Sequence, residues 1–252
     1  MSAGDSPMIQ VTDLSVGWDT HVLLDGATFE VKRGEIFVLM GPSGCGKSTL
    51  LRCLTGLEAP LAGQVHIDGV GTPTLEVGAP SYGVMFQSGA LFGSMTVGAN
   101  VALALKAWTR LPEAAIDAIV RARLRLVGLA GAEVKYPSEL SGGMKKRAAI
   151  ARALALEPSL LFLDEPSAGL DPVSAAELDT LILTMNRDLG MTFVIVTHEL
   201  PSVFKIAHRC ILLDGETRSI LARGDPRELR DHSDDPRVRH FLNRGDAPEE
   251  MG

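Results

Sequence analysis

The clearest chemistry in this sequence lies in a glycine-rich segment, Gly41-Pro42-Ser43-Gly44-Cys45-Gly46-Lys47-Ser48-Thr49. The segment matches the phosphate-binding pattern G-x-x-x-x-G-K-[ST] at every fixed position. Its glycines let backbone N–H groups approach an anion because no Cβ stands in the way. In this pattern Lys47 reaches the β- and γ-phosphates, and the Ser48 hydroxyl holds Mg²⁺. The segment therefore predicts a phosphate site with its magnesium ion.

The residues on either side of this loop support that interpretation. The apolar run over 35–40 predicts a buried strand, and leucines at helical spacing over 49–57 predict a helix. A helix start adds the positive end of its dipole to the anion site. The alternative is a glycine-rich turn that carries a lysine by chance, and the strand–loop–helix order argues against it.

Two acids, Asp164 and Glu165, end a second apolar run over 160–163. Ligands of α/β sheets lie at the carboxyl ends of the strands, which is where this pair is predicted. Asp164 suits the shell of a magnesium ion, and Glu165 is placed to orient or deprotonate an attacking water. The alternative is a solvated strand end, which the phosphate loop in the same chain disfavours.

A second anion site is predicted at Leu140-Ser141-Gly142-Gly143-Met144, which precedes a helix predicted over 145–156. Ser141 is typical of a helix N-cap, and the two glycines expose N–H groups at the positive helix end. An ordinary capped helix is the alternative. Because a single γ-phosphate does not need two such sites from one chain, the pattern predicts a dimer with nucleotide between the chains.

The composition sets the frame for these motifs. The 252 residues, 46% hydrophobic and 22% charged, suit one large α/β domain, and the net charge of −7 argues against nucleic acid as a partner. Three cysteines are too few for a disulfide scaffold and favour a reducing cytosol. Residues 1–7 do not resemble a secretion signal. No apolar run reaches the roughly 18 residues that span a bilayer, so any membrane role is expected to come through a partner.

The rest of the chain predicts alternating strands and helices. Helical structure is expected over 97–129, with Pro112 at a helix start and Gly128 at an end. A hairpin with an Asp214-Gly215 turn is expected near 211–221. Further strands are predicted over 8–16 (of edge type), 27–31, 64–69, 82–86 and 192–196.

Taken in order, the motifs make the chain resemble the ATP-binding subunit of ABC transporters over residues 18–198. The resemblance implies a P-loop NTPase core of ABC ATPase type, with an antiparallel β subdomain and a helical subdomain. It implies ATP hydrolysis with Mg²⁺ in a homodimer. It also implies an ATPase domain over 8–224, a helical subdomain inserted at about 88–156, and a C-terminal tail over 225–252.

The resemblance also implies roles for four residues outside the main motifs. Gln87 matches the Q-loop glutamine, which contacts Mg²⁺ or water. Asp171 ends the D-loop, which crosses the dimer interface. His198 matches the switch histidine of the γ-phosphate, and Trp18 lies where family members stack an aromatic ring on adenine.

One departure indicates a subclass. The family's signature segment corresponds to residues 140–144, and Met144 stands where the family usually has glutamine. The segments 85–92, 140–147 and 235–242 are similar to the ATPases of Mla/Mce-type lipid transport systems. That similarity implies phospholipid transport on the cytoplasmic side of the inner membrane, with an integral permease and an Mce-type lipid-binding protein. A small regulatory subunit is a further possible partner.

Two other functions remain as alternatives. One is the ATPase of an importer for another solute, such as an amino acid or a metal ion. The other is a soluble ABC ATPase of translation or DNA repair. A single phosphate loop, with no long heptad run and no paired C-x-x-C, disfavours the latter.

Two local features complete the expectations. Leu91, Phe92 and Met95 either form a cleft for a helix of the membrane partner or pack inside the helical subdomain. Cys45 lies near a helix start, where a thiol pKa tends to fall. The sequence thus predicts that thiol reagents inactivate the protein and that ATP protects it.

Overall fold

The computed structural model describes residues 6–74 and 78–243. In chain order the elements are β1 (Ile9–Trp18), β2 (His21–Val31), β3 (Ile36–Met40), α1 (Lys47–Leu54), β4 (Ala62–Ile67), β5 (Gly83–Met85), α2 (Val97–Trp108), α3 (Glu113–Leu126), α4 (Gly142–Ala153), β6 (Leu160–Asp164), α5 (Pro172–Leu189), β7 (Thr192–Val196), α6 (Leu200–Ile206), β8 (Arg209–Asp214), β9 (Ser219–Gly224), α7 (Pro226–His232) and α8 (Pro236–Leu242).

The chain divides into two compact units. Among the described residues, the first unit comprises 6–74 and 194–243, and the second comprises 78–193. The predicted helical subdomain at 88–156 falls inside the second unit, which also holds β5, β6 and α5. The bounds predicted for that subdomain, for the 8–224 domain and for the 225–252 tail therefore stay predictions.

In the first unit, β1, β2 and β4 form an antiparallel sheet in the order β2-β1-β4. Ile9 pairs with Val31 on one side and with Ile67 on the other, so β1 is the central strand. The prediction of an edge strand over 8–16 is wrong, because β1 pairs with a strand on each side. The loose alternation of its residues reflects irregular register with both of these strands.

In a second sheet β7, β3, β8 and β9 are neighbours in that order, and the first unit contains β3, β8, β9 and residues 194–196 of β7. Every residue of β3 and β7 is buried, as their apolar composition predicts for strands covered on both faces. The parallel pairing of β3 with β8 runs from Phe37 opposite Arg209 to Met40 opposite Leu212. This sheet places the end of β3, where the glycine-rich loop begins, at its carboxyl edge.

The predicted hairpin forms from β8 and β9, but its turn is longer than predicted. Four residues, 215–218, connect the strands, and Arg218 takes a left-handed φ of 54°. The Asp214 carboxylate accepts hydrogen bonds from the Glu216 N–H and the Thr217 hydroxyl, both at 3.0 Å. These bonds stabilise the wider turn in place of a two-residue Asp-Gly turn.

In the second unit, β5 runs parallel to β6. Three helices, α2 to α4, lie between these strands in the sequence, and α5 follows β6. The helical stretch predicted over 97–129 is two helices, because the chain leaves the helical path before Pro112 and restarts after it. The buried stripe of α3 consists of Ile116, Val120 and Leu124, and Gly128 follows with a φ of 73°.

Within residues 225–243 the chain forms α7 and α8, and α8 buries Val238 and Leu242. Arg237 of α8 donates to the Asp214 carboxylate at 3.0 Å, which ties α8 to the β8–β9 turn. The fraying predicted after Gly245 lies outside the described residues. Within the described part of the chain, no helix is long and apolar enough to cross a membrane.

Candidate nucleotide site

The glycine-rich loop connects the end of β3 at Met40 to the start of α1 at Lys47. The helix predicted over 49–57 thus begins two residues earlier and ends at Leu54. It ends there because the Thr55 hydroxyl bonds back to the Leu51 carbonyl at 2.9 Å and Gly56 takes a left-handed φ of 65°. The strand–loop–helix order that the sequence predicts is confirmed.

The loop closes around the side chain of its lysine. Lys47 Nζ donates to the carbonyls of Gly41 and Pro42, each at 2.8 Å. Gly41 has a φ of 149°, and a Cβ there would lie 2.6 Å from Cys45 Sγ and 2.7 Å from the Leu213 carbonyl. The loop therefore requires glycine at this position and holds an ammonium group over its backbone, as a phosphate cradle does.

The surface of this loop is open to a ligand. Pro42, Ser43, Gly44 and Ser48 are exposed, whereas Gly41, Cys45, Gly46 and Thr49 are buried beneath them. The exposed positions include the Ser48 hydroxyl at the first turn of α1. A positive helix end, a lysine and a free hydroxyl thus lie within one short segment.

His198 lies on the same edge of the first unit as the loop. It follows β7 through Thr197, whose N–H donates to the Leu39 carbonyl at 3.3 Å, one residue before the end of β3. Its side chain is 60% exposed, with Nε2 at 3.7 Å from Glu199 Oε1. The histidine therefore lies where the strand that feeds the phosphate loop ends.

Trp18 is the last residue of β1 and belongs to the same unit as the phosphate loop. Its side chain is 54% exposed, and its ring centroid lies 5.9 Å from that of His21 at a tilt of 41°. An indole that presents half its surface to solvent, beside one ring that tilts away, is suited to stack on a flat base.

In the second unit, Gln87, Asp164 and Glu165 share one edge of a strand pair. β5 and β6 run parallel, with Met85 opposite Leu163, so both chains leave the sheet at the same end. Gln87 is exposed. Glu165 is only 7% exposed and takes a left-handed φ of 46°, which non-glycine residues rarely adopt. Such a conformation is typical of residues that a functional site holds in place.

A residue that the sequence reasoning missed connects these two segments. Lys146 of α4 is buried, and its Nζ donates to the Gln87 carbonyl at 2.5 Å and to the Glu165 carbonyl at 3.1 Å. Burial lowers the pKa of Lys146, while the charges of Glu165 and Asp164 oppose that shift. The one available signal was its spacing: Lys146 shares a helix face with the buried residues Gly143 and Ile150.

The predicted second anion site forms the start of α4, which begins at Gly142 and not at the predicted 145. Ser141 is its N-cap, as predicted, and the Ser141 Oγ accepts from the Met144 N–H at 3.3 Å. Ser141 and Gly142 are exposed, whereas Gly143 is buried. The start of α4 is therefore available to an anion outside this chain.

Asp171 lies against this helix start. It caps α5, because its carboxylate accepts from the N–H groups of Val173 and Ser174 at 3.1 and 3.0 Å. The hydrogen bonds from Ser174 lower the pKa of the Asp171 carboxyl. A Cβ on Gly143 would lie 3.3 Å from the Ser174 side chain, so the starts of α4 and α5 are in contact.

The sequence comparisons identify the family. The family model described as ABC transporter matches residues 24–168, which is more than half of the chain. The chain belongs to the ABC transporter family. As an ABC ATPase, it has the α/β fold that the motif order predicts, and both the resemblance and the assignment as an ATP-hydrolysing enzyme are confirmed.

Individual relatives give closer matches to this ABC ATPase. The chain is 42% identical to the intermembrane phospholipid transport system ATP-binding protein MlaF of Escherichia coli K12, over 94% of this chain and 88% of the relative. It is also 42% identical to the probable ribonucleotide transport ATP-binding protein Mkl of Mycobacterium leprae, over 95% of this chain and 71% of the relative.

Solved structures support the same fold. A dimeric ATP-binding cassette in a post-hydrolysis state, bound to ADP and Pi, aligns with this ABC ATPase at a TM-score of 0.77 and 27% identity. The alignment covers 86% of this chain and 98% of that structure.

Cys45 departs from the sequence-based expectation. Its side chain is 2% exposed, and burial raises the pKa of the thiol although Lys47 lies nearby. The prediction of a lowered pKa is wrong, because desolvation of the thiolate outweighs the positive charge of the loop. We expect iodoacetamide at pH 8 to alkylate Cys45 at least about 10-fold more slowly in the native protein than in guanidinium. Mass spectrometry of the Cys45 peptide measures both rates, and equal rates would contradict the burial of this thiol.

Proposed function

We propose that this ABC ATPase hydrolyses ATP to power phospholipid transport through a separate membrane permease. The observation that carries the proposal is the 42% identity to MlaF, a phospholipid transport ATP-binding protein, across nearly the whole chain. The ATPase would lie at the cytoplasmic face of the inner membrane, where the permease holds it. An Mce-type lipid-binding protein is the expected third component.

A second candidate is an ATPase for another solute. Mkl, a relative of equal identity, carries the name of a probable ribonucleotide transport protein. In both candidates the ATPase supplies the energy and the membrane partner selects the solute. The two candidates therefore differ in the partner that the ATPase binds and share one site chemistry.

In the proposed reaction, the first unit binds the nucleotide. Backbone N–H groups of the loop and Lys47 hold the β- and γ-phosphates, and Trp18 stacks on adenine. Lys47 Nζ bonds to the loop carbonyls of Gly41 and Pro42, so its charge lies at the phosphate loop. His198 is a hydrogen-bond donor or acceptor toward the γ-phosphate. Most of this catalysis is positioning and electrostatic stabilisation.

The donor set fits Mg²⁺. Ser48 offers a hydroxyl, Asp164 a carboxylate and Gln87 an amide oxygen, which are the hard oxygen donors that this ion prefers. No group of three or more His, Cys, Asp or Glu residues able to hold a metal occurs among the described residues. Mg²⁺ takes one or two carboxylates in proteins and completes its shell with phosphate and water. When bound, it would neutralise charge on the β- and γ-phosphates.

We propose that the second unit supplies the chemistry of hydrolysis. Glu165 accepts a proton from the attacking water or orients it. Ser141 and the N–H groups of Gly142 and Gly143 donate to the γ-phosphate held by a second copy of the chain. The exposure of Ser141 and Gly142 at the start of α4 supports this role. Asp171, which caps the neighbouring helix, belongs to the same dimer surface.

The proposed function is tested by identifying the membrane partners. The tagged protein is purified from detergent-solubilised membranes of its host, and the proteins and lipids that accompany it are identified by mass spectrometry. A permease with an Mce-type protein and bound phospholipid is the expected result. A permease with a solute-binding protein and no phospholipid would support the second candidate, and the absence of a membrane protein would contradict both.

The residues after Gln87 are a candidate surface for the permease. Phe92 is 51% exposed, while Leu91 and Met95 are partly buried. Asn100 is fully buried and holds this segment in shape, because its side chain bonds to the Phe92 N–H at 2.8 Å and to the Phe92 carbonyl at 3.1 Å. The segment is thus an ordered apolar surface that is only half covered within its own unit.

We expect Leu91→Glu to reduce the amount of permease that co-purifies by at least about 10-fold, since a buried unpaired carboxylate is costly at an interface. ATP binding by the isolated protein should be unchanged. Leu111→Glu is the control, because Leu111 is a leucine of the same unit outside this segment, with 41% of its surface exposed. Normal assembly of the Leu91 variant would place the permease elsewhere.

A further inference from the structure

The helix α4 carries two cations that hold the segment after β5. Arg152 Nη1 donates to the Ala90 carbonyl at 2.6 Å, and Nη2 donates to the Gly89 carbonyl at 3.0 Å. Lys146, on the same helix, donates to the Gln87 carbonyl at 2.5 Å. Three backbone carbonyls within four residues therefore depend on charged side chains of α4. This segment moves with α4 unless these bonds break.

Lys146 differs from Arg152 because it also reaches the acid proposed to activate water. Its second bond, at 3.1 Å, is to the carbonyl of Glu165, whose backbone takes the left-handed φ of 46°. The Ala168 N–H donates to the same carbonyl at 3.3 Å. Such a backbone conformation persists only when its surroundings fix it. A buried ammonium group is among the donors that do so here.

A lysine suits this position because of its geometry. The ammonium group has three donors that spread around a single point, so it can bond two carbonyls from different segments at once. Charge-assisted bonds of this kind are shorter and stronger than bonds between neutral groups. The charge is offset by the nearby carboxylates of Glu165 and Asp164. Ser141 is the N-cap of the same helix, so α4 is continuous from the segment 140–144 to Lys146.

We propose that Lys146 is a positioning residue for ATP hydrolysis. Lys146 fixes the backbone of Glu165, and it transmits displacements of the Gln87 segment and of α4 to Glu165. The proposal rests on the proposed role of Glu165 in hydrolysis. Lys146 acts through the backbone carbonyl of Glu165 and not through contact with nucleotide. Its effect is expected on the rate of the chemical step and not on nucleotide affinity.

The test compares Lys146→Met with Lys146→Arg. Methionine has a similar length and no donor, so both carbonyl bonds are lost, whereas arginine keeps charged donors. We expect Lys146→Met to lower kcat by about 10- to 100-fold, the size of effect that loss of hydrogen bonds from a charged group produces. KM and the Kd for ATP should stay within about 3-fold of the parent. Lys146→Arg should recover kcat to within about 5-fold of the parent.

One matched control and one alternative variant separate a positioning role of Lys146 from a role in stability. Lys145→Met makes the same change at the neighbouring residue of α4, which is exposed, and should leave kcat and the thermal unfolding midpoint unchanged. Lys146→Gln is the second variant if Lys146→Met fails to fold. Its shorter amide reaches one carbonyl at most, so an intermediate kcat with unchanged ATP affinity is expected.

A double variant tests whether Lys146 acts through Glu165. If it does, Lys146→Met combined with Glu165→Gln should be no slower than Glu165→Gln alone, because both changes remove the same contribution. If Glu165→Gln alone keeps the parent rate, the proposed role of Glu165 fails whatever the Lys146 variants do. If Glu165→Gln is slow and the double variant is slower by the full Lys146 factor, the inference about Lys146 fails on its own.

Other outcomes would also overturn the inference. A kcat for Lys146→Met or Lys146→Gln within about 3-fold of the parent would show that the two carbonyl bonds do not set the rate. Equal losses in ATP affinity and in kcat, with no recovery by arginine, would assign Lys146 a purely structural role.

Discussion

Glu165→Gln is expected to lower kcat for ATP hydrolysis by at least about 100-fold and to leave ATP binding unchanged. General bases contribute about 100- to 10,000-fold to rate, and glutamine matches the shape of glutamate without accepting the proton. Glu165 is 7% exposed, so bulk water has little access to replace its carboxylate as the proton acceptor. The measurement is steady-state hydrolysis together with a direct Kd for ATP.

The same variant should accumulate as a dimer in the presence of ATP. If hydrolysis is what opens the composite dimer, a chain that binds ATP and does not hydrolyse it stays closed, and light scattering coupled to size exclusion detects the change in mass. Glu228→Gln is the matched control, since Glu228 is an exposed glutamate of α7. Hydrolysis by Glu165→Gln at the parent rate would refute the assignment of the base.

The features that the sequence predicted best are the local ones. The phosphate loop, the N-cap Ser141 and the wholly buried strand β7 follow from residue types within a few positions of one another. Backbone freedom at glycine, capping by a serine hydroxyl and an uninterrupted apolar run are each decided by neighbours in sequence. The local structure around the predicted site residues could therefore be predicted from the residues alone.

The features that the sequence did not reveal depend on contacts between distant segments. β1 is a central strand because Ile9 is bordered by both Val31 and Ile67, and a single strand pattern does not reveal how many neighbours it has. The pKa of Cys45 is raised because the folded chain buries its thiol. A rule about helix starts omits that desolvation.

Lys146 illustrates the same limit within the site. A lysine beside another lysine and an arginine predicts a solvated face, as in most surface helices. Its burial follows only once α4 lies against the segments that hold Gln87 and Glu165, which are 59 and 19 residues away. Charged residues that serve a site through tertiary contacts carry no local pattern that would set them apart.

The second large effect concerns Lys47 and Ser141, which are expected to act from different chains. Lys47→Ala removes the ammonium group from the phosphate loop, and Ser141→Arg places a bulky cation at the exposed start of α4. Each variant alone should lose at least about 100-fold in hydrolysis, because each lesion is present in both sites of a homodimer. Ser141→Arg should still bind ATP, since the phosphate loop is intact.

Mixing these two inactive variants decides whether the site is shared. In a mixed dimer of composite sites, one site receives both lesions and the other receives neither. Random association makes half of the dimers mixed, so about one quarter of the parent activity should return. If each chain instead held a complete site, every site would carry a lesion and mixing would restore nothing. Recovery of activity therefore requires that Ser141 of one chain serve the nucleotide bound by Lys47 of another, which is what the exposure of Ser141 and Gly142 predicts.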